Sequence, residues 1–205
     1  MPKTQLTQIT DLHFGETPEF TLAGIRPLDS FKAVLDAVND AGRGDDLLLL
    51  SGDLSGTSSA ESYIMLNQLL QDYGKQALWL PGNHDNVELM KKHLVNYPPY
   101  PVWEMGDWGI LTLDSSQSET PIGHIRDEEL RLVEDRLDQL KSKSILVSMH
   151  HCPIALGSFN QLFRFAHDCV GRAGRKAAAH VWDDAEFAFV IAAFRNLQIA
   201  EVAWG

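Results

Sequence analysis

Asp11-Leu12-His13, Gly52-Asp53, Gly82-Asn83-His84-Asp85 and His150-His151 each stand directly after a short apolar run of the chain. Between them they offer carboxylates, an amide oxygen and imidazoles, a mix of hard and borderline donors that suits paired divalent cations such as iron, manganese or zinc. Each string alone has a plain explanation. Asp11 and His13 make a polar turn after a strand, Gly52-Asp53 is ordinary turn chemistry, and His150-His151 closes a strand end. Gly82-Asn83-His84-Asp85 after Pro81 is good turn chemistry too, but a turn needs neither the imidazole nor the amide. Four such strings at four strand ends are better explained by one site than by four coincidences.

The elements that carry these strings follow from the hydrophobic pattern. Residues 47–50 are an uninterrupted run of leucines, and residues 77–80, 110–113 and 145–147 are similar; residues 5–9 fit a first strand. Continuous apolar strands without alternation indicate a sheet covered on both faces. Between them, Phe31, Val34, Leu35 and Val38 repeat at helical spacing, as do Tyr63, Leu66, Leu70 and Tyr73, and Leu130, Val133, Leu137 and Leu140. The last set opens with Asp127, Glu128 and Glu129 and closes near Lys141 and Lys143, charges that complement a helix dipole. Alternation of strand and helix predicts an α/β fold with largely parallel strands. In such sheets ligands bind beyond the carboxyl ends of the strands, where all four strings fall.

These residues resemble the binuclear metallophosphoesterases of the calcineurin-like type, and among them the bacterial 3',5'-cyclic-AMP phosphodiesterases. The likeness covers Gln8-Ile9-Thr10-Asp11 with His13-Phe14, Leu22-Ala23-Gly24-Ile25 leading to Ser30-Phe31-Lys32-Ala33-Val34-Leu35, and Leu78-Trp79-Leu80-Pro81-Gly82-Asn83-His84-Asp85. It extends to Leu113-Asp114-Ser115 and Met149-His150-His151-Cys152-Pro153, so it runs from about residue 5 to residue 157. The resemblance implies an αββα sandwich. It implies two divalent metal ions, iron or manganese with zinc as the alternative. Asp11 and His13 would bind the first, Asp53 would bridge both, and Asn83 and His150 would bind the second. It also places His84 on the phosphate, where it stabilises the transition state or helps protonate the leaving oxygen. Asp85 and His151 would stand behind the ligands as supporting residues. The implied reaction is hydrolysis of 3',5'-cyclic AMP to 5'-AMP by water acidified between cations roughly 3.5–4 Å apart. His13, Asp53, Asn83 and His84 would meet the substrate.

After residue 157 the chain departs from that family. A Gly-His-x-His segment, one imidazole for each metal, is expected thirty to forty residues beyond His150, and none exists; only His167 and His180 follow His151. Val181-Trp182-Asp183-Asp184 lies at about the right distance, so Asp183 or Asp184 is the alternative oxygen donor, although acidic pairs are usually solvated faces or helix starts. Residues 158–205 are locally basic and alanine-rich, and residues 187–194 suit a helix. The expectation is a metallophosphoesterase domain over residues 1–157, an atypical or replaced segment over residues 158–205, and a second sheet left incomplete.

Composition fits one domain. The 205 residues are 44% hydrophobic with a net charge of −11, which disfavours nucleic acid and anionic membranes as partners and leaves a small cyclic nucleotide as the expected one. The leucine run is far too short to span a bilayer, and residues 1–10 show no signal-peptide pattern. Cys152 and Cys169 are too few for a disulfide framework, which points to a reducing cytoplasm. Residues 96–101, rich in proline and tyrosine, read as an irregular loop.

Overall fold

The computed structural model describes residues 5–99, 101–117, 120–140, 144–151 and 189–193. The chain divides into two compact units, residues 1–100 with 116–122, and residues 101–115 with 123–205. The first unit alternates strand and helix as the periodicity predicts through β1 (Leu6–Ile9), α1 (Pro27–Asp40), β2 (Leu47–Ser51), α2 (Ala60–Asp72) and β3 (Gln76–Leu80), and adds a short helix that the periodicity did not mark, α3 (Val87–His93). Its three strands are parallel in the order β1-β2-β3, with Ile9 beside Leu50 and Ser51 beside Leu80. Every residue of β2 is buried, as expected for a central strand covered on both faces.

Side chains at helical spacing close this unit's core. Phe31 and Leu35 of α1 and Tyr63, Leu66 and Leu70 of α2 pack into one cluster with Leu48, Leu50 and Trp79 of the sheet. Val34 stays exposed, so only part of the apolar stripe of α1 is buried. Pro27 sits at the first turn of α1, where its missing N–H costs nothing. Ser59 caps α2 by accepting from the Ser62 N–H, and Asn86 caps α3 by accepting from the Leu89 N–H.

The second unit holds β4 (Val102–Met105), β5 (Trp108–Thr112), α4 (Asp127–Gln139), β6 (Ser144–Met149) and β7 (Phe189–Ala193) in a sheet ordered β4-β5-β6-β7. The runs at 110–113 and 145–147 therefore belong to a different sheet from the leucine run, and that sheet is mixed. β5 and β6 are parallel, whereas β4 pairs antiparallel with β5 and β7 antiparallel with β6. Met105 pairs with Trp108 across Gly106-Asp107, and the positive φ of Gly106 (58°) suits a two-residue hairpin turn. Gly-Asp between two apolar stretches is a hairpin signal that identifies this turn in the sequence.

The helix expected over residues 187–194 is corrected. Phe189–Ala193 is a strand registered against Ile145–Met149, because pairing with an existing sheet edge outweighs a weak local helical preference. The sheet expected to be incomplete thus has four strands among the described residues. α4 starts with Asp127, Glu128 and Glu129 as read, and its last-turn cation is Arg136; Lys141 and Lys143 lie outside the described residues. Val133, Leu140, Ile145, Val147 and Met149 form this unit's core with Leu111 and Leu113.

Candidate metal centre

Where β1 and β2 end, their exit loops stay zipped together. The Asp11 N–H donates to the Gly52 carbonyl (3.0 Å), His13 to that of Asp53 (2.9 Å) and Phe14 to that of Leu54 (3.0 Å), and the Gly56 N–H returns to Phe14 (2.9 Å). The alternation in Asp11-Leu12-His13-Phe14 then has a direct meaning. Leu12 and Phe14 are buried in the core, as is Leu54, so Asp11 and His13 are left partly open to solvent. The backbone turns sharply to do this. Asp11, His13 and Asp53 all have positive φ (55°, 48° and 52°). A non-glycine residue held there costs about 1–3 kcal/mol, strain that persists only where surrounding bonds over-determine it, and such strain clusters at functional sites.

The zipped loops bring Asp11, His13 and Asp53 together. One potential ligand atom from each lies within 4.8 Å of the others. His13 Nε2 is 3.7 Å from Asp11 Oδ1 and 3.9 Å from Asp53 Oδ2. The adjacent Asp11 carboxylate holds the His13 imidazole above its usual pKa; burial opposes this, and the charges of Asp53 and Asp85 add to it. Negative charge is therefore concentrated at this point, most of it on carboxylates that are at least partly enclosed. Two carboxylates and an imidazole converging in this way fit a hard or borderline divalent cation. Thr10 Oγ1 fixes Asp11 from behind by donating to its Oδ2 (2.5 Å).

The loop after β3 closes on the same point, and Gly82 permits it. A Cβ at that position would run into the Asp53 carboxylate oxygen and backbone nitrogen. Two residues on, the His84 N–H donates to Asp53 Oδ1 (2.9 Å), and the His84 carbonyl accepts from Ser58 Oγ (2.6 Å). The exposed His84 ring stands edge-on to His13, with centroids 5.2 Å apart. Asn83, between Gly82 and His84, is partly buried. The structure thus brings Asp11, His13, Asp53 and His84 into contact, with Asn83 on the same loop as His84.

Asp85 differs from the expectation that it supports an imidazole. Its carboxylate accepts from the N–H groups of Gly82 (2.9 Å), Leu54 (3.1 Å) and Ser55 (3.0 Å) and from the Tyr63 hydroxyl (3.0 Å). Burial pushes its carboxyl up to about 6, against the pull of those three N–H groups. All four partners are donors, so the group is held as a carboxylate at neutral pH. Its bonds tie the loop after β2 to the loop after β3. Tyr63 was legible in the sequence only as a core position of α2, and Ser58 carried no signal at all.

His150 and His151 follow β6 in the second unit. His150 is buried. The His151 ring, edge-on to it at 4.9 Å, lies with Nδ1 2.8 Å from Ser115 Oγ, and the His151 N–H donates to the same oxygen (3.2 Å). Gly123 leaves room for that ring, since a Cβ there would meet it. Asp114 accepts from Arg126 (2.6 Å). His167, His180, Asp183 and Asp184 lie outside the described residues.

A family model described as calcineurin-like phosphoesterase matches residues 4–189. Three relatives carry names that agree with it. The 3',5'-cyclic adenosine monophosphate phosphodiesterase CpdA of Vibrio vulnificus (strain CMCP6) is 34% identical over 157 residues, covering 75% of this chain and 57% of the relative. The 3',5'-cyclic-nucleotide phosphodiesterase alr5338 of Nostoc sp. is 32% identical over 155 residues, 75% of this chain and 58% of the relative. CpdA of Escherichia coli (strain K12) is 29% identical over 158 residues, 76% of this chain and 58% of the relative. The chain therefore spans just under three fifths of the length of the relatives it matches.

Proposed function

The chain belongs to the calcineurin-like phosphoesterase family, and from that premise we propose that it is a metal-dependent phosphodiesterase acting on a cyclic nucleotide, 3',5'-cyclic AMP first among them. The observation that supports this best is the convergence of Asp11, His13 and Asp53 at the carboxyl ends of two adjacent parallel strands, joined there by His84. Asp11, His13 and Asp53 would hold one divalent cation. Asp53 and Asn83 would contribute to a second, with His150 assigned to it by family resemblance alone. Bound there, such cations acidify water and neutralise charge on phosphoryl oxygens.

The protein's own groups supply the rest. His84 has its backbone fixed on both sides, by Asp53 and by Ser58, so its ring is presented from a rigid loop. From there it would place an N–H against the phosphate and protonate the departing 3' oxygen, general acid help worth about 10²- to 10⁴-fold. The substrate assignment comes from the names of the relatives, the reaction class from the family, and the metal dependence is supported by the donor set. Hydrolysis of a panel of cyclic nucleotides, nitrophenyl phosphodiesters and nitrophenyl phosphate in Mn²⁺, with EDTA as control, tests both. Preference for cyclic AMP supports the reading; preference for the monoester would move the chain to a phosphomonoesterase role, and EDTA-resistant turnover would refute metal dependence.

A second reading is favoured by one specific feature, the lack of a Gly-His-x-His segment after His150. On this reading the chain would be a non-catalytic remnant that holds metal or nucleotide weakly. Metal stoichiometry separates the two, since an intact pair binds two ions and a remnant binds one or fewer. No helix among the described residues is long and apolar enough to cross a membrane.

A further inference from the structure

Tyr63 belongs to the buried face of α2, yet its hydroxyl does not behave as a core hydroxyl that merely found a partner. It donates to Asp85 Oδ1 (3.0 Å) and accepts from the Asn86 N–H (2.8 Å). The same Asp85 oxygen accepts from the Ser55 N–H, and the other accepts from Gly82 and Leu54. Each carboxylate oxygen thus carries two donors. The side chain lies between the loop that presents Asp53 and the loop that presents Asn83 and His84. Tyr63 adds a third element, the helix, to that junction, beside its neighbour Ser62, whose hydroxyl bonds Ser55 (2.7 Å).

We propose that Tyr63 is a positioning residue for the metal centre, holding the Asn83-His84 loop against the Asp53 loop by fixing Asp85 on one side and the Asn86 backbone on the other. The inference rests on the metal reading of the site given above. Three observations support it. Tyr63 is fully buried, so its hydroxyl has one available geometry. Asp85 and Asn86 directly follow His84, so displacement of either is transmitted to a residue bonded to Asp53. Gly82, at the other end of the turn, is packed so tightly on Asp53 that the loop has no slack to absorb a shift. Burial and the Asp85 charge also push the Tyr63 hydroxyl up, which keeps it a neutral donor.

The test uses the full 205-residue chain as wild type, Tyr63→Phe and Tyr73→Phe. Tyr73, at the end of the same helix, donates at the surface to the exposed Asp36 of α1 rather than to either loop of the site, and serves as a hydroxyl deletion that leaves the bonds of those loops in place. Mn²⁺ affinity is measured by titration calorimetry well below the melting temperature, with melting followed separately. Tyr63→Phe is expected to fold and to bind Mn²⁺ about 10- to 100-fold more weakly, the range for loss of a residue that orients a ligand. Tyr73→Phe is expected to bind as wild type. Should Tyr63→Phe not fold, Asp85→Asn disturbs the acceptor of the Tyr63 hydroxyl together with that of three backbone N–H groups and is expected to lose at least as much affinity; wild-type affinity there would overturn the proposal. Unchanged affinity in folded Tyr63→Phe, or an equal loss in Tyr73→Phe, would overturn this inference alone. A wild-type chain that takes up no Mn²⁺ would overturn the metal reading, and this inference with it.

Discussion

Gly82→Ala offers the sharpest test of how the site is built. The new methyl would land on the Asp53 carboxylate and on its backbone nitrogen, and the second of these cannot swing aside. The loop that contains Asp53 is held by the bonds from Asp11, His13 and Phe14, so the loop after β3 has to move instead. Overpacking of a tight site costs about 1–3 kcal/mol. Movement of the loop also breaks at least one bond to a carboxylate, either His84 to Asp53 or one of those to Asp85, at about 1.5–3 kcal/mol each. The sum is about 2.5–6 kcal/mol, equivalent to a fall of about 5–24 °C in melting temperature for a chain of this size. Mn²⁺ binding should fall with it, because Asp53 and His84 no longer share one geometry. Gly74→Ala is the control. Gly74 has φ +62° with open space around it, so alanine there carries only a left-handed backbone cost of about 1–2 kcal/mol. It should melt lower but bind Mn²⁺ as wild type does. Scanning calorimetry and metal titration on both variants decide the matter. If Gly82→Ala melts no lower than Gly74→Ala and retains wild-type affinity, the close packing of these two loops is not what shapes the site.

Three further outcomes are expected. Asp53→Asn should abolish hydrolysis more completely than Asp11→Asn, since Asp53 faces both His13 and the His84 loop; near-wild-type turnover in the Asp53 variant would rule out a shared bridging carboxylate. His84→Ala should keep its metal content while turnover drops by about 10²- to 10⁴-fold, and loss of an ion on elemental analysis would show that His84 is a ligand instead. Replacing residues 158–205 by a family-type segment with Gly-His-x-His should raise metal affinity and cyclic-AMP hydrolysis together, because three protein ligands hold a cation less firmly than four. Two bound ions and equal activity in the unaltered chain would direct attention to Asp183, Asp184 or His180.

The donors that converge beyond β1 and β2 were readable from the sequence because their types and their places at strand ends are local facts. Donor type is set by the residue, and an apolar run followed at once by a polar string marks a strand end without reference to the rest of the chain. The alternation of Asp11-Leu12-His13-Phe14 carried even the split between core and site, since Leu12 and Phe14 are buried and their neighbours are not. The helices over Phe31, Tyr63 and Val133 followed from period for the same reason.

Pairing is a different kind of fact. The runs ending at Leu50, Leu113 and Val147 look alike in sequence, yet the first lies in a parallel sheet and the others in a mixed one, because backbone hydrogen-bond partners are chosen by distant segments. Phe189–Ala193 became a strand for that reason, overriding its local helical character. The roles of Asp85 and Tyr63 were hidden in the same way. A carboxylate beside a histidine suggests an imidazole partner, but which donors reach it depends on how closely two loops and a helix approach, and only the folded chain determines that distance.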